Sequence, residues 1–311
     1  MTTSSRLPGV GAILMAALLW GTTGTVQTFL PEDRDPLAVG ALRLLVGAST
    51  LLLIALARPE SRRAFARLPW GGILLAGLAI GGYNLLFFRA VTETGVGIGT
   101  AIAIGSAPLW ATAFEVIVNR ERPAGLRLLG QGVAILGVGF LALAGGGQAG
   151  SLLGVALAAG AAACYATYSM VTSQVGHRAP PATTAAATFG VAALMTSPVL
   201  AVAPLGWMAS PQGWMWIGFL GVGVTGLSYA LYTWGLTRVA ASTAVTLALA
   251  EPVTAWLLAS AVVGETVTGQ KVLGALLVLA GLALITLLPA RRSLPASPAM
   301  ETCRANRAAR P

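Results

Sequence analysis

PLWATAFEVIVNRERPAGLRLLGQGVAILG, residues 108–137, and PVTAWLLASAVVGETVTGQKVLGALLVLAG, residues 252–281, together decide the fold. At a constant offset of 144, Pro108 falls on Pro252, Ala111 on Ala255 and Glu121 on Glu265. Gly125 falls on Gly269, Gly130 on Gly274 and Gly137 on Gly281. Matching Ala and Gly residues carry little weight in this composition. Pro and Glu are rare within apolar sequence, and both recur at the same spacing in corresponding segments, so the chain contains an internal repeat.

Composition says what is repeated. Of 311 residues 56% are hydrophobic and 9% charged, against about 25% charged in soluble domains, and the mean hydropathy is +0.80. A globule of this size cannot hide that much apolar surface from water, so the chain reads as an integral membrane protein. Scarce charge argues against disorder and a coiled coil. The two cysteines, Cys164 in an apolar run and Cys303 in a polar tail, form neither a disulfide framework nor a metal-ligand spacing. The formal charge of +9 comes from residues placed between apolar runs, which suits membrane topology rather than nucleic acid.

About 20 mostly apolar residues span a bilayer as a helix. Ten such runs are expected, at Val10–Phe29, Leu37–Ala57, Trp70–Ala90, Ile98–Val118, Leu126–Ala144, Ser151–Ser173, Thr183–Pro204, Gly213–Leu236, Thr243–Val263 and Gly269–Leu288. They are too long for barrel strands and lack their alternation. The first run is full length and no small-residue cleavage site follows it, which argues against a signal peptide. Fifteen Lys and Arg fall on the amino-terminal side and three, Arg34, Arg89 and Lys271, on the other; both termini are therefore expected in the cytoplasm.

Five helices per copy is an odd number, so the second copy enters from the opposite side. The expected organisation is a cytoplasmic amino terminus (1–9), a first five-helix repeat (10–144), a second, inverted repeat (151–288) and a disordered cytoplasmic tail (289–311). The fold class is thus all-α, with ten transmembrane helices as two inverted repeats, an arrangement that secondary transporters use to open a central site to either side.

Ser106-Ala107-Pro108 with Arg120-Glu121, and Ala250-Glu251-Pro252 with Gly264-Glu265, lie in a five-helix unit that resembles the EamA-type transporters of the drug/metabolite transporter superfamily. The likeness covers residues 7 to 290. It implies a secondary active exporter of small metabolites, with a similar branch exporting aromatic and neutral amino acids across the bacterial inner membrane. The related four-helix multidrug transporters use a Glu in their first helix; no acid lies between Val10 and Phe29. No cofactor or metal is expected, and one chain carries both halves, so a monomer suffices. The expected partners are a small-molecule substrate and membrane lipids, without nucleic acid.

Charge inside a span is costly. Glu251 reads either as a proton-coupling or amine-binding group, or as a carboxyl satisfying backbone groups loosened at Pro252. Arg43 either meets a substrate carboxylate or Glu251, or snorkels to the headgroups. Glu115 is expected at the interface, and Glu121 and Glu265 at helix ends. The expected substrate-binding set adds aromatic and polar residues inside spans: Trp20, Thr22, Tyr83, Asn84, Ser106, Trp110, Tyr165, Tyr168, Ser228, Tyr229 and Tyr232. Pro108 and Pro252 are hinge candidates or static kinks.

Competing functions are a nucleotide-sugar antiporter, which would want several cavity cations, an intramembrane enzyme, or a membrane receptor. His177 sits in a loop and reads as a topology residue. Gly145-Gly146-Gly147 lacks the Lys of a phosphate loop.

Overall fold

The computed structural model describes residues 3–120, 123–144, 151–176 and 178–287. Glu121, Gly145–Gly147, His177 and the tail 289–311 lie outside these. Among the described residues ten helices are long and apolar enough to cross a membrane: α1 (Arg6–Gln27), α2 (Pro36–Leu56), α3 (Trp70–Gly95), α4 (Gly97–Val118), α5 (Gly125–Leu143), α6 (Leu152–Val175), α7 (Pro181–Val202), α8 (Pro211–Leu236), α9 (Ala241–Val263) and α10 (Gly269–Thr286). Large apolar side chains such as Leu53, Ile117, Leu143 and Leu194 stand exposed around the bundle. That outer surface suits hydrocarbon, where every backbone group must be satisfied within its own helix.

Local chemistry sets the ends. Asp35 caps α2 by accepting from the Ala38 amide at 2.7 Å, with Pro36 at the first turn. Ser151 caps α6 through the Gly154 amide. Helix α3 runs past the expected end at Ala90, because Arg89 and Glu93 pair at 2.7 Å along one face and Thr94 bonds back to the Ala90 carbonyl. It stops at Gly95, whose φ of 77° ends the helix before α4 begins.

The repeat is visible in the backbone. A π-helical turn spans Glu115–Asn119 in α4, and another spans Ala259–Val263 in α9, at the same offset of 144. Each is closed by a left-handed residue, Arg120 (φ 54°) and Gly264 (φ 82°). Contacts between helices obey the same exchange. Helix α3 packs on α6 as α8 packs on α1, α4 on α6 as α9 on α1, and α7 on α3 as α2 on α8. The self-related pairs α2 with α7, α4 with α9, and α5 with α10 cross the pseudo-two-fold axis.

The α5–α10 pair shows that the axis inverts one half. Gly130 meets Gly281 while Gly137 meets Gly274, so the helices run antiparallel with the four glycines matched crosswise. A Cβ at Gly137 would stand 2.6 Å from the Gly274 carbonyl oxygen, and one at Gly274 2.8 Å from that of Gly137. Backbones this close need glycine, and close approach supplies the van der Waals contact that holds helices together in lipid.

Candidate functional site

A cavity of about 410 Å³ lies between the halves. Its inner part is bounded by Trp20 of α1, Tyr165 of α6, Tyr229 of α8, Ile104 of α4, and Ala248 and Glu251 of α9. Its mouth is at Glu32, Arg34 and Pro36, in and after the α1–α2 loop, and at Thr92 near the end of α3. It therefore opens toward the face opposite the start of α1.

Helix breaks place the inner residues. Pro108 and Pro252 lack the N–H that would bond the carbonyl four residues back, at Ile104 and Ala248. Those two residues are repeat equivalents, and both line the cavity. Around them α4 is interrupted at Ser106, and α9 between its segments Ala241–Leu247 and Ala250–Leu258. The Glu251 amide then bonds the Ala248 carbonyl at 2.9 Å, which turns the Glu251 side chain into the cavity. Gly21 brings α1 against α9; a Cβ there would stand 2.5 Å from Cβ of Thr254.

Besides Glu32 and Arg34 at the mouth, two charged side chains, Arg43 and Glu251, line this space. Arg43 donates from Nη2 to Oδ1 of Asn84 at 2.9 Å, its guanidinium carbon 5.6 Å from the centre of the Phe88 ring. Gly40 allows this, since a Cβ there would meet Asn84 and Phe88 at under 3 Å. Among the described residues the Arg43 Nε, the Asn84 Nδ2 and the Trp20 Nε1 are buried without partners. Glu251 lines the same cavity, and among the described residues its carboxylate forms no hydrogen bond or ion pair. Buried donors without acceptors and a carboxyl without donors thus belong to one site, a set complementary to a ligand that carries both an acceptor and a donor.

Aromatic rings form the remaining walls and the floor. Trp20 lies 4.9 Å from Tyr229 and 6.3 Å from Tyr165, edge-on to the latter. Tyr83 stacks on Phe87 at 5.6 Å. One turn further along α6 and α8, Tyr168 and Tyr232 are wholly buried and stacked at 6.3 Å. They are tied to Thr233 and Ser169 through their hydroxyls. This layer separates the cavity from the face where α1 begins.

Of the residues singled out in the sequence, Trp20, Tyr83, Tyr165, Tyr229 and Glu251 line the cavity together. Asn84 stands behind Arg43 and is 2% exposed. Tyr168 and Tyr232 lie in the floor. The Thr22, Ser106 and Ser228 hydroxyls donate to carbonyls of their own helices, at Leu19, Ile102 and Val224, and line no part of the cavity. Trp110 is 47% exposed on the outer surface of the bundle. Glu115, three residues before the end of α4, is 4% exposed and bonded to Arg127 and Ser242.

Several lining residues went unremarked in the sequence: Thr23, Gly24, Gln27, Phe87 and Thr100. Helical spacing carried the signal for most of them. Thr23, Gly24 and Gln27 continue the stripe of Trp20 at three, four and seven residues, as Phe87 and Val91 continue that of Tyr83. Among the described residues no three His, Cys, Asp or Glu side chains gather as a metal site would require.

Ten helices able to span a membrane among the described residues, in inverted halves with a solute-sized cavity at their junction opening toward one face, have the architecture of a membrane transporter. The chain belongs to the EamA-like transporter family, whose model matches it twice, over residues 7–143 and 152–287. It is 38% identical over 281 residues to the uncharacterized transporter YwfM of Bacillus subtilis, covering 90% of this chain and 94% of that protein. It is 32% identical over 273 residues to the threonine/homoserine exporter RhtA of Escherichia coli K12, covering 86% and 87%. A crystallised chain described only as "Crystal structure of protein" shares the fold, with a TM-score of 0.79 at 23% identity over 92% of this chain and 98% of that one.

Proposed function

We propose that this transporter exports amino acids, aromatic ones included, across the bacterial inner membrane by alternating access. In this reading both termini are cytoplasmic, and the cavity stands open to the outside. The observation that carries it is the pairing of Arg43, held by Asn84, with the unbonded Glu251 carboxylate in one aromatic-walled cavity. An α-carboxylate meets Arg43 and the orphan donors beside it, and an α-ammonium meets Glu251. The side chain then rests among Trp20, Tyr83, Phe87 and Tyr229. The name of the Escherichia coli relative, a threonine/homoserine exporter, supports the amino-acid class, and the aromatic walls favour larger side chains.

A nucleotide-sugar antiporter needs surplus positive charge for a dianion. The cavity lining holds Arg34 and Arg43 against Glu32 and Glu251, a balanced set better matched to a zwitterion. The test is counterflow in proteoliposomes with labelled phenylalanine, threonine and a nucleotide sugar, with and without a pH gradient. Saturable phenylalanine exchange is expected. Exchange of the nucleotide sugar alone would overturn the assignment.

A further inference from the structure

Helices α4 and α9 cross at the pseudo-two-fold axis, and their two ends differ. Toward the open face Thr100 and Ile104 of α4 stand across the cavity from Ala248, Glu251 and Ala255 of α9. Toward the face where α1 begins, the Ala107–Phe114 segment of α4 packs directly on Ala241–Leu247 of α9. Glu115 closes that contact. Its Oε1 accepts from the Ser242 hydroxyl at 2.5 Å and from the Ser242 amide at 3.3 Å, while Arg127 donates to Oε2 at 2.5 Å. A carboxylate of the first half is thereby bonded to the start of α9 in the second, buried and with a compensating cation, the setting in which such bonds are strongest.

The repeat supplies no counterpart at the other end. At the offset of 144, Glu115 corresponds to Ala259 and Ser242 to Ile98. Arg127 corresponds to Lys271, which pairs instead within its own half, with Glu265 at 3.0 Å and the Thr266 carbonyl at 3.2 Å. The closed face also carries an unopened copy of the route. A groove there passes Gly176, Pro180, Leu227 and Leu231, the repeat equivalents of the cavity-lining Glu32, Pro36, Tyr83 and Phe87.

We propose that the Glu115–Ser242 contact, with Arg127 holding the carboxylate, is a one-sided latch. It fastens α4 to α9 on the amino-terminal face, and no equivalent bond fastens them when the protein closes on the other face. The resting protein is therefore biased toward the open side seen here, and entry from the amino-terminal face requires this contact to break. The proposal rests on the cavity being exposed to one face at a time, not on which solute occupies it.

Thiol accessibility tests it without any substrate, so its failure is distinguishable from failure of the amino-acid reading. In a Cys164→Ser, Cys303→Ser background, Thr92→Cys reports on the open mouth. Leu236→Cys, its repeat equivalent and 2% exposed, reports on the closed face. Ser242→Ala and Glu115→Gln are each expected to speed labelling of Leu236→Cys about tenfold and to slow that of Thr92→Cys, as loss of a hydrogen bond to a charged group would. Ser242→Thr, which keeps the hydroxyl, should behave as the parent, and Lys271→Ala should leave both rates unchanged. Unaltered labelling in monodisperse Ser242→Ala and Glu115→Gln proteins would overturn the latch. So would an equal shift from Lys271→Ala.

Discussion

Gly137 of α5 and Gly274 of α10 lie backbone against backbone, a Cβ on the first reaching within 2.6 Å of the carbonyl oxygen of the second. The pair shares the pseudo-two-fold seam with Gly130 and Gly281. A side chain there must push the two helices apart over the length of the contact. Gly137→Val is expected to destabilise the fold by about 1–3 kcal/mol through overpacking. It should be seen as earlier loss of the monodisperse peak on heating in detergent. Gly132→Val, at a position of the same helix with nothing within 4 Å of its Cβ, should change little.

Replacing the Glu251 carboxyl by its isosteric amide tests the group expected to meet the ammonium. Glu251→Gln should lower saturable amino-acid flux roughly tenfold or more, the scale of one charged hydrogen bond. If the carboxyl also carries protons, stimulation by a pH gradient disappears in the same variant. Wild-type flux and unchanged gradient dependence would assign Glu251 to the backbone at the Pro252 break alone.

The Arg43 guanidinium is expected to read a carboxylate. Arg43→Gln should raise the half-saturating concentration for phenylalanine roughly tenfold or more while leaving that for phenethylamine, which lacks the carboxylate, nearly unchanged. Asn84→Ala should show a weaker form of the same selectivity loss, because it frees Arg43 without removing it. Equal effects on both compounds would mean that these residues act on packing.

The two tryptophans should part company. Trp20→Ala opens the wall beside Tyr229 and is expected to weaken uptake of aromatic more than aliphatic competitors. Trp110→Ala lies on the outer surface and should leave competition profiles as they are. Competition against labelled phenylalanine exchange measures both.

The membrane spans, the inversion and the offset of 144 were all legible in the sequence, because apolar length and rare residues such as Pro108 and Pro252 survive any ambiguity about which way a helix faces. The helix faces were not. In lipid the outward surface is as apolar as the packed interior, so Trp110 on the outside and Trp20 on the inside sit in equally apolar sequence. Ser106 and Ser228 looked like site groups because a hydroxyl in hydrocarbon needs a partner, yet each finds one in its own helix. For Glu115 the sequence shows its nearness to the helix end but not what surrounds it. Its burial depends on Arg127 and on Ser242, a residue 127 positions away that belongs to the other half.

The exchange of partners between the halves also bears on how the protein is made. Helix α1 lies against α8 and α9, so Trp20 enters the membrane early and meets Glu251 only after more than two hundred further residues have been synthesised. Until then the first half has the lining of a pocket and no opposite wall. Ordering of the ligand site is thus coupled to completion of the chain through α9, which supplies Ala248, Glu251 and Ala255 to the lining.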